Sequence, residues 1–314
     1  MTQAIALGEK RVLQAGKLRW LRSLGWMLTL WLGSILLFGI FAAIGFRIMA
    51  AILEQPFSPD IMMRSIQEPG GLAAAFGLAL GAVASLAGYA LVVRLGEDRR
   101  ASELALRPAW HELPGGLAVG AGMMAIAVAI LGLGGWVDIS AQPVTGIWGA
   151  IGLSVQSGAW EELAFRLIMF RLLWRAFGPW WALGISAFVF GLVHLSNPNA
   201  SWFAALCIAV EAGVMLATFY ILTGRAWVSV GVHAGWNFTQ GWLFGAAVSG
   251  TGGFAGGPLL TQAREGAPEW LSGGAFGPEA SLAGLIVGCG VGAALLWLAV
   301  RRGRLPAPAP RTGQ

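Results

Sequence analysis

The chain alternates long apolar stretches with short polar breaks. Eight apolar stretches stand out: Leu24 to Phe46, Leu72 to Val93, Gly115 to Trp136, Val144 to Trp174, Trp180 to Leu195, Trp202 to Leu222, Trp227 to Ala247 and Leu282 to Val300. A helix of about 20 apolar residues crosses a bilayer. Inside lipid only helices and closed barrels satisfy every backbone polar group. The pattern therefore predicts an all-α fold, a polytopic membrane helix bundle of about eight transmembrane helices. Residues 1–23 form a basic N-terminal segment, 24–143 a first group of membrane helices, 144–302 a second group, and 303–314 a Pro-rich, disordered tail. Arg94 to Leu113 reads as a short helix or loop at the interface, and the Gly-rich stretch Ser249 to Ala280 as a flexible connection. The end of the fourth stretch, with Arg171 and Arg175, is expected to emerge into water.

Composition strengthens the membrane reading. Of the 314 residues 57% are hydrophobic and 11% charged, where a soluble domain carries about 25% charged residues. The 47 glycines suit helices that approach closely in lipid. The net charge of +5 is spread between the apolar stretches and forms no basic patch, so no nucleic-acid partner is expected. Leaving out Arg166, sixteen Lys and Arg fall in one set of connections and three (Arg47, Arg64 and Arg264) in the other. Cationic loops stay inside, which places both termini in the cytoplasm of a multi-pass protein in a bacterial plasma (inner) membrane. The first apolar stretch follows some twenty basic and polar residues and is long enough to remain as an anchor. Cys207 and Cys289 lie within apolar stretches and read as small core side chains.

The chemistry concentrates at Glu161-Glu162-Leu163-Ala164-Phe165-Arg166. A charged residue at the centre of a spanning helix costs about 2.5 to 3.5 kcal/mol, so three together need a reason. Glu162 and Arg166 are i and i+4 on a helix and can pair, which leaves Glu161 available to another partner. His194 ends the fifth stretch, and His233 and Asn237 share one face of the seventh. Polar groups in lipid cost less when they meet, so Glu161, His194, His233 and Asn237 are expected to converge. Glu161 then serves as a general base on water, His194 holds that water or passes a proton to a leaving amine, and His233 and Asn237 present N–H donors to an oxyanion. Glu162 and Arg166 support Glu161. Ser229 and Ser186 are not in register with a His and Asp pair, so no covalent nucleophile is expected.

No cofactor is favoured. The alternative is a zinc ion on Glu161, His194 and His233 with a water in the fourth position, although no HExxH motif is present. Glu211 is a third carboxylate in an apolar stretch; it either faces the cavity or pairs with Arg225. His111, beside Trp110, reads as an interfacial residue. Depth poses a problem. At about 1.5 Å per residue, His194 lies about 22 Å and His233 about 9 Å from the cytoplasmic start of its stretch. The set meets only if the fifth helix tilts or begins outside the bilayer near Pro179.

Glu161-Glu162-x3-Arg166, Phe190-x3-His194 and His233-x3-Asn237, in this order on three apolar stretches, resemble the CAAX protease and bacteriocin-processing family of intramembrane endopeptidases. The resemblance covers roughly Gly149 to Arg302, so that the segment 144–302 corresponds to the catalytic core of that family. It implies that Glu161 and His194 activate water and that His233 and Asn237 form the oxyanion hole. It leaves metal dependence open. The expected activity is cleavage of a membrane-associated protein or peptide near the cytoplasmic face. The alternatives are a non-catalytic scaffold or peptide-immunity protein of the same fold, and a proton-coupled transporter. A transporter built on inverted repeats fits less well, because no internal repeat stands out. The oligomeric state is not readable from the pattern.

Overall fold

A computed structural model describes residues 5–56, 58, 60–61 and 71–305. The apolar stretches fold as helices. α1 spans Arg19–Ile52, α2 Leu72–Glu97 and α3 Leu106–Leu133. α4 is one run: α-helical at Trp148–Val155, π-helical at Gln156–Glu161 and Leu163–Phe170, and α-helical again at Arg171–Phe177. α5 covers Pro179–Val193 and starts on its proline, where the missing N–H has no intrahelical partner to lose. α6 runs through Trp202–Ile208, π-helical Ala209–Val214 and Met215–Thr223. α7 is Trp227–Phe238 followed by π-helical Thr239–Leu243. The short α8 is Glu269–Ser272, and α9 is Leu282–Arg301.

The fold is a helical membrane bundle. Among the described residues, six helices are long and apolar enough to cross a membrane: α1, α2, α3, α5, α6 and α9. The expected count of about eight requires α4 and α7 as well. Both are broken by π-helical turns, and they carry five of the six polar motif residues, His194 standing at the end of α5.

The structure corrects several boundaries. Arg94 to Leu113 does not form an interfacial element of its own. α2 continues to Glu97 and α3 begins at Leu106, so only a short link with a 3-10 turn at Ser102–Leu104 lies between them. His111 lies within α3 and not in a loop; it is exposed, 5.2 Å from the Trp110 ring. The Gly-rich stretch is tied down. Within it β2, Leu259–Ala263, pairs antiparallel with β1, Val137–Ala141, with Val137 opposite Ala263 and Ala141 opposite Leu259. The Gln142 side chain donates to the carbonyls of Gly257 and Leu259, at 3.1 and 2.9 Å. The tail expected to be disordered begins with Leu305 packed in the core, and residues 306–314 lie outside the described residues.

Arg171 and Arg175 do not emerge into water; both are buried. Arg171 donates to both oxygens of Glu97, at 2.9 and 2.7 Å. Arg175 donates to the Gly8 carbonyl and the Ser23 hydroxyl, at 2.9 and 2.8 Å, and to the Leu13 carbonyl. The N-terminal segment therefore folds over the end of α4, and Ile5 and Leu13 join the core. The Arg171 charge is matched by Glu97, whereas Arg175 is satisfied by carbonyl and hydroxyl oxygens; an unpaired buried charge would be far more costly.

Close packing of α3 on α7 sets the register of the functional residues. A Cβ on Gly120 would come within 2.0 Å of the Val232 carbonyl, and one on Gly235 within 2.3 Å of the Leu117 carbonyl. Small residues at such crossings let backbones touch. The glycine face of α7 is thereby spent on α3, and His233 and Asn237 are left to line a cavity.

Candidate active site

The four motif residues line one cavity. Glu161, His194, His233 and Asn237 surround a space of about 180 Å3, together with Gln156, Ser157, Asn197 and the loop residues Ser249, Thr251 and Phe254. A polar cavity holds a water when it offers about 10–15 Å3 of accessible space, so this one has room for several. The expected convergence is present. α5 starts at Pro179.

The two adjacent glutamates part company. Glu162 is fully buried; its Oε2 lies 3.1 Å from Arg166 Nε, and its Oε1 lies 2.9 Å from His233 Nδ1. Arg166 also donates to the Ala212 carbonyl at 3.1 Å and lies 4.5 Å from the centre of the Phe190 ring. Glu162 and Arg166 therefore fasten α4 to α5, α6 and α7. The Glu161 side chain is 19% exposed; its Oε2 faces His233 Nε2 at 3.9 Å. Among the described residues its one hydrogen bond, from Gln156 Nε2 at 3.5 Å, is long. Glu161 is thus held loosely and reaches water. The π-helical turn that ends at Glu161 shifts the register locally, a device frequent at functional sites.

Hydrogen bonding fixes what each imidazole offers. His194 Nδ1 lies 2.7 Å from the Phe190 carbonyl, which can only accept. Nδ1 therefore carries the proton, and Nε2 of the neutral ring keeps its lone pair. His233 Nδ1 likewise donates to Glu162. Asn237 Nδ2 donates to Ser157 Oγ at 2.9 Å. The expectation of two free N–H donors needs refinement, since one donor of each residue is already spent. The second N–H of Asn237 remains, whereas His233 Nε2 donates only in the imidazolium. Phe190 is the shared platform, with ring centres 4.9 Å from His194 and 6.1 Å from His233.

Among the described residues, no group of three or more His, Cys, Asp and Glu is placed to hold a metal ion. Ser229 Oγ donates to the Leu216 carbonyl at 3.0 Å and Ser186 Oγ to the Leu183 carbonyl at 3.4 Å, so neither is poised as a nucleophile.

A second, smaller cavity of about 30 Å3 adjoins the first and shares His194, His233, Asn237 and Ser249. Glu211 and Glu279 line it, both nearly fully buried, each with one oxygen lacking a hydrogen-bond partner. Glu211 therefore faces the cavity; Arg225 is bound instead to Glu112, at 2.8 Å. Burial pushes the Glu279 carboxyl up to about 7, against the hydrogen bonds it accepts from Ser249. Ser157 and Gln156 were missed in the sequence, and Glu279 was given no site role, because single polar residues without motif spacing carry no local signal.

Residues 143–239 match the family model described as Rce1-like, type II CAAX prenyl endopeptidase Rce1-like. The chain carries an Rce1-like domain. The match runs from just before α4 to the π-helical turn of α7 and includes all six motif residues, Glu161, Glu162, Arg166, His194, His233 and Asn237. It ends before β2, Glu279 and α9, and is narrower than the resemblance drawn to Arg302. The Rce1-like family is a family of proteases, and this chain is a membrane protein. No curated protein and no solved structure matches the chain.

Proposed function

We propose that the protein is an intramembrane endopeptidase that hydrolyses a peptide bond of a membrane-associated protein through activated water. The observation that carries this reading is the shared cavity in which Glu161, His194, His233 and Asn237 meet, inside an Rce1-like domain. Water sits between Glu161 and His194 Nε2, and both accept its protons. Glu161 takes one proton as the water oxygen attacks the carbonyl carbon. The developing oxyanion receives the free N–H of Asn237 and, in the imidazolium form, Nε2–H of His233, whose charge Glu162 balances. Collapse breaks the C–N bond, and Glu161 returns the proton to the leaving amine. Such general base work is worth about 10²–10⁴-fold. Every step in this reading uses the chain's own side chains.

The test is a comparison of peptide termini in membranes from cells with the wild-type chain and with Glu161→Gln. Termini present only with the wild type support hydrolysis. Identical termini, with Glu161→Gln keeping the wild-type phenotype, support a scaffold or immunity protein instead. Substrate uptake driven by a proton gradient in proteoliposomes, without cleavage, supports a transporter.

A further inference from the structure

The bundle has two unlike faces. One face collects the start of α1, the end of α2, the start of α3 and the end of α4, joined by contacts such as Trp26 Nε1 to Glu97 at 2.9 Å and Trp227 Nε1 to the Ala105 carbonyl at 2.9 Å. The other carries β1, β2 and the loops that follow α5 and α7. Exposed tryptophans mark both levels: Trp20, Trp110 and Trp181 on the first, Trp148, Trp202 and Trp270 on the second. Such rings anchor at the two membrane–water interfaces.

The cavity opens toward the second face. Its lining on α4 runs from Leu153 to Glu161, the half of the helix nearer Trp148, and the remainder includes Asn197, Ser249 and Thr251 from second-face loops. No lining residue lies between Glu161 and Arg171. That half of α4 is closed by core: Leu163, Leu167, Ile168 and Phe170 are 0% exposed. Beyond them the N-terminal segment is bonded down over Arg175. Water therefore reaches Glu161 from the second face only. The charge bias settles which face that is. Among the described residues, fifteen Lys and Arg of the richer set belong to the first, closed face, and two, Arg47 and Arg264, to the second. Cationic connections stay in the cytoplasm.

We propose that the cavity opens to the extracytoplasmic side of the membrane. Its substrate is then a peptide segment presented at the outer surface, not a prenylated tail offered from the cytoplasm. The substrate assignment rests on the hydrolytic reading above; the sidedness does not. It reverses the cytoplasmic cleavage expected from the depth of the spans. That expectation measured depth along single helices and did not include the loops that complete the cavity.

The test is cysteine accessibility in the full chain, with Cys207 and Cys289 replaced by alanine. Single cysteines are placed at Gly252, where an added Cβ meets nothing within 4 Å, at Thr251 inside the cavity, and at Arg100 on the closed face. Glu265→Cys, also exposed on the second face, is an alternative outer reporter should Gly252→Cys be poorly made. Intact cells are treated with a small charged maleimide that does not cross the inner membrane. The outer reporter and Thr251→Cys should label fully before the membrane is opened, and Arg100→Cys only afterwards. Labelling of Arg100→Cys in intact cells with the outer reporter silent overturns the proposal. So does a silent Thr251→Cys beside a labelled outer reporter, because the cavity would then be closed from outside. Labelling needs no turnover. A wild-type result for Glu161→Gln removes the hydrolytic reading and leaves sidedness standing, while reversed labelling does the opposite.

Discussion

Two clusters of charged side chains lie along α4, and they are built on opposite plans. At the closed end, Arg171 and Glu97 are fully buried and meet through two hydrogen bonds, and Arg99 reaches both Glu97 and Glu103, at 2.6 and 2.8 Å. Every charge there has a partner. At the open end, Glu161 is partly exposed, weakly held, and faces an imidazole at 3.9 Å. Matched, dry charges hold helices together, whereas a wet carboxylate with spare capacity is free to move a proton. The difference teaches that intramembrane charge by itself does not mark chemistry. Accessibility and unspent hydrogen-bonding capacity do.

Breaking one cluster should therefore damage stability, and breaking the other should damage activity. Arg171→Met takes away the two-pronged partner of Glu97 and leaves that buried carboxylate only Arg99 and Trp26, and removal of one partner of a buried pair costs about 3–5 kcal/mol. The expected outcome is a large fall in the thermal unfolding midpoint in detergent, while the protein that stays folded keeps its turnover. His194→Gln attacks the other cluster. It should lower turnover about 10²–10⁴-fold with little change in melting, because its Nε2 is committed to no protein partner. A melting loss as large as that of Arg171→Met would show His194 to be structural.

Ser157→Ala sharpens the comparison at a smaller scale. Ser157 touches no reacting atom and positions Asn237. Losing a hydrogen bond costs about 1 kcal/mol, so turnover should fall about 5–10-fold, chiefly in kcat, and Ser157→Thr should restore part of it. The smallest effect concerns pH. Burial alone would raise the Glu103 carboxyl, but the hydrogen bonds and charge of Arg99 outweigh it and hold Glu103 below the ordinary carboxylate range. A depressed acid contributes stability that is fully present above its unfolded value of about 4.3 and is lost as pH falls through the lower folded value. Melting should therefore decline below about pH 4.3, with a shallower slope in Glu103→Gln.

The helical bundle was legible because lipid imposes a simple rule on long apolar runs. The six motif residues were legible because charge in such a run is conspicuous and i, i+4 spacing fixes a shared face. Three things were not. Arg171 and Arg175 looked like interfacial cations because their cover, residues 5–16, is remote in sequence. The role of Ser249 to Ala280 was hidden because a Gly-rich composition shows freedom of the backbone and not the β1 pairing that removes it. The spent donors on His233 and Asn237 depend on Glu162 and Ser157 across the bundle, which spacing along one helix cannot show.

The most direct test of the account measures melting and peptide-bond cleavage on one purified Glu161→Gln preparation. The account predicts a wild-type melting curve with cleavage lost, because Glu161 anchors nothing and moves the proton. Cleavage at the wild-type rate by the folded variant would contradict it.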